Sequence, residues 1–177
     1  MKRRVQISDP HKRSAYRADD AFCMAVKPER FDTFEEAAEY ARFVWPHLKG
    51  IRSWDQKGLG MIAFWAIKDE EIVLTKQGWN DLVVLHEIAH GLRDAVVRSG
   101  ALIDGGGAHG GLWATIYLFL VWQWRGEQAA LLLQTAFRAA HCPHMLLFKD
   151  WLAIVPILLK ELDPESKPQA EQLAARA

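Results

Sequence analysis

The residues best placed to do chemistry are His86, Glu87 and His90, in the stretch Leu85-His86-Glu87-Ile88-Ala89-His90-Gly91. They spell H-E-x-x-H. Histidines four apart on a helix sit one turn above each other on one face, so both imidazoles can reach one metal ion. Glu87 falls on the same side. It can take a proton from a metal-bound water without being a ligand itself. By residue frequencies the pattern arises by chance in about one chain of this length in a few hundred, so it can organise the reading but not prove it.

A catalytic zinc site usually has three protein ligands and a water, so a third ligand must come from elsewhere. Six residues past His90 stands Val96, which excludes the metzincin pattern. No glutamate lies between His90 and Gly126, which argues against a thermolysin-like site. His109 is the leading candidate, because it follows a glycine-rich loop and opens a helix. Asp104 is the second, since carboxylates also bind zinc. Asp94 is one turn beyond His90 on the same helix and is better suited to orienting a ligand than to being one.

These residues need a helix and a scaffold. Asn80 reads as the N-cap of the H-E-x-x-H helix, and Asp81 suits its positive end. Leu82, Leu85, Ala89, Leu92 and Val96 form one face; Val83, His86, Glu87, His90 and Asp94 form another. Gly91 weakens a helix relative to alanine, which fits either a close backbone approach or simple tolerance. Ahead of this helix, Ile51–Asp55, Met61–Ile67 and Glu71–Thr75 read as strands. Lys68-Asp69-Glu70 connects the last two as a hairpin, and Gly58 and Gly60 suit the turn before. Met61–Ile67 is the candidate edge for pairing with an extended substrate backbone.

Elsewhere, Thr33 with Glu36 makes a capping box for a helix over residues 33–45, closed by Pro46. Ala21–Lys27 reads as a short first strand. Arg98–Ala108 reads as a loop, followed by helices over Ala114–Trp124, Glu127–Ala140 and about Met145–Leu162, the last kinked or split by Pro156. Tyr117, two turns past His109, reads as core. The resulting fold class is α+β: a small, mostly antiparallel sheet on a central H-E-x-x-H helix, with further C-terminal helices. Its organisation is a flexible basic arm over residues 1–20, a single metallohydrolase domain over 21–162 and a polar tail over 163–177. No internal repeat is visible.

Composition narrows the classes. The 177 residues are half hydrophobic, enough for a real core and too apolar for a disordered chain. Net charge is zero, with 22 basic and 22 acidic residues, so overall charge favours neither nucleic acid nor an acidic membrane surface. Lys2, Arg3, Arg4, Lys12, Arg13 and Arg17 give a weak case for phosphate contact by the N-terminal arm. The apolar run Leu112–Trp124 is too short to span a bilayer, and the basic N-terminus is followed by no apolar h-region, so it does not read as a secretory signal. A cytoplasmic location follows as the default. Cys23 and Cys142 form no C-x-x-C pair. The eight tryptophans suit either a core or a substrate groove.

HEIAH followed after a loop by HGGLW resembles the SprT-like, or Spartan-type, zinc metallopeptidases, with the pattern HExxH then HGxxW. It is also similar to a group of short metallohydrolases, largely actinobacterial and phage. The likeness runs from about Gly60 to Trp122 and is sharpest at His86, Glu87, His90, His109, Gly110 and Trp113. It implies a zincin-like fold, zinc held by His86, His90 and His109, Glu87 as general base, and a peptide or protein substrate. The chain lacks Spartan's cysteine-rich zinc ribbon and long regulatory tail, which weakens any extension to DNA–protein crosslinks. Two other classes compete. One is a non-catalytic protein in which metal ties helices together, with His141, Cys142 or His144 as a fourth ligand. The other is a DNA-associated protein acting through the basic arm.

Overall fold

The computed structural model describes residues 9–54, 62–102, 107–142 and 148–162. Gly58, Gly60, Asp104, Pro143 and His144 lie outside them. Contacts along the chain cluster into two compact units: Met1–Val26 with Ile103–Leu146, and Lys27–Leu102 with Leu147–Ala177.

The first unit holds three helices, α1 (Lys12–Val26), α4 (Gly111–Arg125) and α5 (Glu127–Ala139). Helix α1 corrects the sequence reading. Residues 12–20, expected in a flexible arm, and 21–26, expected in a strand, form one continuous helix. The reason is a stripe of Ala15, Ala18 and Phe22, all buried, at helical spacing. Lys12, Arg13 and Arg17 therefore belong to a helix surface. Helices α1 and α4 both pack on α5. Trp113, Tyr117 and Phe137 are fully buried, with ring centroids 5.4 to 6.4 Å apart. Tyr117 is thus core, as its spacing suggested. Gly126 separates α4 from α5 at φ +83°, a left-handed conformation natural to glycine. At the end of α5, His141 takes φ +53° at the position just past the cap. His141 N donates to Arg138 O at 3.1 Å and Cys142 N to Phe137 O at 2.9 Å, a Schellman closure.

The second unit holds α2 (Phe34–Val44), a three-stranded sheet, α3 (Asp81–Arg98) and α6 (Phe148–Leu162). The N-cap expected of Thr33 is present on α2, and Glu36 closes it one residue earlier than a capping box does. Thr33 accepts from Glu36 N at 3.2 Å, and Glu36 reaches back to Asp32 N at 2.9 Å. Strands β1 (Gly50–Ser53), β2 (Ala63–Ala66) and β3 (Glu71–Leu74) run in the order β1-β3-β2. The hairpin β2–β3 is antiparallel, with Trp65 opposite Ile72. Strand β1 instead pairs parallel to β3, with Ile51 also opposite Ile72. The sheet is therefore mixed, not mostly antiparallel. The central strand explains its own position: Ile72, Val73 and Leu74 are all buried, as a strand covered on both faces requires. β2 lies at an edge, as expected of Met61–Ile67.

Helix α3 contacts β2, β3, α2 and α6. Helix α6 continues through Pro156 as one element and is not split. Among the described residues, no helix is long and apolar enough to cross a membrane.

Candidate metal centre

Helix α3 carries His86, Glu87 and His90, and its start is fixed by local chemistry. Asn80 caps it, accepting from Val83 N at 3.0 Å. The Asp81 carboxylate accepts from Glu29 N at 2.8 Å, and Asp81 N donates to Glu29 O at 3.1 Å. The chain before α2 is thereby pinned to the first turn of α3.

Five residues further on, the Nε2 atoms of His86 and His90 lie 3.3 Å apart, with ring centroids at 5.1 Å. This spacing is a test of fit. Two imidazole nitrogens about 2.05 Å from one zinc ion in tetrahedral geometry would be about 3.3 Å apart. The pair therefore already has the separation that a shared ion would demand. His86 and Glu87 are both buried, each 6 % exposed, so the side chains with the chemistry face away from bulk water.

Gly91 explains how the helix can lie so close to its neighbours. A Cβ there would fall 2.3 Å from Trp45 Cζ3 and 3.0 Å from Trp65 Cη2. The two indoles lie tilted against each other at 5.5 Å, beside the residue next to His90. Of the two readings of Gly91, close approach is the one observed. Trp45, Trp65 and Trp113 are all buried, so these three tryptophans are core.

Asp94 does not orient a histidine. Its Oδ2 accepts from Trp65 Nε1 at 2.9 Å and its Oδ1 from Arg93 Nη1 at 2.9 Å. The sequence expectation fails here because residues far from α3 in sequence supply donors that helical spacing cannot reveal. Asp94 instead ties α3 to β2.

His109 stands just ahead of α4 and is 4 % exposed. Three groups hold its ring within the first unit. Asp9 Oδ2 meets its Nδ1 at 2.5 Å, Tyr16 lies edge-on at 5.2 Å, and Trp113 lies edge-on at 4.8 Å. Asp9 and Tyr16 come from the N-terminal segment, whose sequence reads as a flexible arm. No spacing rule links a residue to one a hundred positions away, so nothing in the sequence marked Asp9.

His86, His90 and His109 form a group that could hold a metal ion. It is the one such group of three or more metal-ligating side chains among the described residues. Asp94, His141 and Cys142 are not part of it. His141 is exposed at the end of α5, and Cys142 is buried, its thiol pushed up to about 11 chiefly by burial and further by Asp19 and Asp9. Cys23 and Cys142 are not joined as a disulfide. Three imidazole donors suit zinc and several other first-row ions.

No family model, curated protein or solved structure matches the chain.

Proposed function

We propose that the chain is a zinc-dependent metallohydrolase that cleaves a peptide bond or a similar amide. The observation that carries this reading is the His86–His90 pair, set 3.3 Å apart at Nε2 with the buried Glu87 beside it. His109 would complete the ligand set, leaving a fourth position for water or substrate, as catalytic zinc sites do. The likeness of HEIAH and HGGLW to the SprT-like metallopeptidases points the same way, and with it a zincin-like arrangement of sheet and helix.

Zinc, when bound, would lower the pKa of a water toward neutrality and polarise the scissile carbonyl. Glu87 acts as the general base. Its carboxylate takes a proton from the attacking water and passes it to the leaving nitrogen. Burial suits this task, because taking a carboxylate out of water disfavours its charged form and so favours proton uptake. An extended peptide fits the edge of β2, where main-chain groups on the side away from β3 can pair with a substrate strand. Ile62 and Ile67, just beyond the two ends of β2, are exposed and offer apolar contacts there.

The test combines zinc binding with turnover on an unstructured protein such as casein. Glu87→Gln should bind zinc as the wild type does and lose about a hundredfold or more in rate, the scale of a lost general base. Hydrolysis by Glu87→Gln at the wild-type rate would remove Glu87 from the mechanism. A wild-type chain that binds zinc tightly yet hydrolyses nothing would favour metal as a structural tie.

A further inference from the structure

We propose that Asp9 is a positioning residue of the metal centre, holding His109 so that its Nε2 is presented as a ligand. The inference rests on the metallohydrolase reading above. It makes the N-terminal segment part of the site and not an appendage to it.

The argument begins with the imidazole. A histidine can ligate through one nitrogen only if that nitrogen carries no proton, and the partner of the other nitrogen decides which one that is. Neutral imidazole left to itself prefers the proton on Nε2. His109 Nδ1 faces the Asp9 carboxylate at 2.5 Å. A carboxylate can only accept, so Nδ1 must donate, and in the neutral ring Nε2 is then the bare nitrogen. Metal-binding histidines commonly donate their second N–H to a carboxylate, which fixes the ring and raises the basicity of the ligating nitrogen.

The surroundings of Asp9 indicate that the contact is built. Its side chain is 15 % exposed and that of His109 6 %, so little water competes for either group. Asp9 Oδ1 accepts from His11 N at 3.3 Å, and Asp9 O accepts from Lys12 N at 3.3 Å, at the start of α1. Helix α1 in turn packs on α5, with Ala15, Ala18 and Phe22 buried. The backbone of Gly107, at φ +75°, lies against Asp9 and Pro10, with a Cβ position 3.4 Å from Asp9 Oδ1. The loop before His109 and the segment around Asp9 are therefore fitted to each other. Tyr16, one turn into α1, closes the ring from another side.

The experiment has two readouts on the full chain. The first is the tautomer of His109 in the metal-free wild type, read by long-range nitrogen–proton NMR correlations at a pH where the imidazoles are neutral. The proposal expects the proton on Nδ1. A proton on Nε2 would overturn it, whatever any variant does. The second is zinc affinity by chelator competition for the wild type, Asp9→Ala and Asp9→Asn. Asp9→Ala should weaken binding about 10- to 100-fold, the usual effect of losing such a partner, and shift the His109 proton to Nε2. Asp9→Asn keeps an acceptor oxygen and should hold the Nδ1–H tautomer, with an affinity between the other two. Wild-type affinity in Asp9→Ala would refute the positioning role while leaving the three-histidine site standing. A wild-type chain that takes up no zinc would sink the metallohydrolase reading and this inference together.

Discussion

Gly91→Ala is a sharp test of how the site is packed, because two effects of opposite sign compete at one atom. In an exposed helix, replacing glycine by alanine stabilises by about 0.8–1.0 kcal/mol. At Gly91 the added Cβ would stand 2.3 and 2.6 Å from two atoms of the Trp45 ring and 3.0 Å from Trp65. Carbon contacts are ordinarily about 3.5–4.0 Å, so Trp45 must move by more than an ångström. It has little room to do so. Trp45 is 4 % exposed, and its Nε1 donates to Glu161 at 3.3 Å; Trp65 is 9 % exposed and tied to Asp94. Overpacking of this kind costs about 1–3 kcal/mol, and a lost indole hydrogen bond adds about 1 kcal/mol. After the propensity gain the net loss is about 1–3 kcal/mol, and a loss of 2 kcal/mol lowers the melting temperature by about 4–8 °C in a chain of this size. Urea and thermal unfolding measure it directly. If Gly91→Ala melts at or above the wild-type temperature, the two indoles do not lie against α3 as described.

Two further predictions concern residues near the chemistry but outside it. Asp94→Ala should destabilise by about 1–3 kcal/mol, because it leaves the Trp65 and Arg93 donors without their acceptor, yet zinc affinity should stay within about twofold; a tenfold loss of zinc would restore the orienting role that helical spacing suggested. Cys142 has its thiol raised from an ordinary 9.0 to about 11, mainly by burial. The unfolded thiol then loses its proton first, so the unfolded state binds fewer protons and stability falls as pH rises from about 9 to about 11. Denaturation of Cys142→Ala across that range should show a flatter decline than the wild type, and parallel curves would contradict the assignment.

What could be read from the sequence is what depends on local spacing. H-E-x-x-H, the Asn80 cap, the Thr33 cap and the β2–β3 hairpin are each written within a few residues. Helix α1 escaped because its buried stripe begins with two alanines, which carry little hydrophobic signal, among prominent basic residues. The parallel pairing of β1 with β3 escaped because β2 intervenes in sequence, and no local pattern states that a strand will cross to the far side of the next hairpin. Asp9 and the Trp65–Asp94 contact escaped for the same reason at longer range.

The proposed role of Glu87 can be set against the placement of the other carboxylates on its helix. Helix α3 carries three carboxylates, Asp81, Glu87 and Asp94. Asp81 is engaged with the backbone of Glu29 at the helix start, and Asp94 with Trp65 and Arg93 toward its end. Both are used to fasten α3 to the rest of its unit, which is the rigidity a pair of ligands one turn apart requires. Glu87 is the carboxylate that lies between the two histidines in sequence and is buried with His86. Burying a carboxylate beside two imidazoles is costly if the imidazoles are neutral and no cation is near, and favourable if a divalent ion sits between them. On the proposed metal-dependent reading, that balance couples the charge of Glu87 to the ion. It also sets an order for the experiments. Removing metal should destabilise the wild type more than Glu87→Gln, in which the buried charge is already gone, and equal losses in the two proteins would mean that the charge of Glu87 is not coupled to the ion.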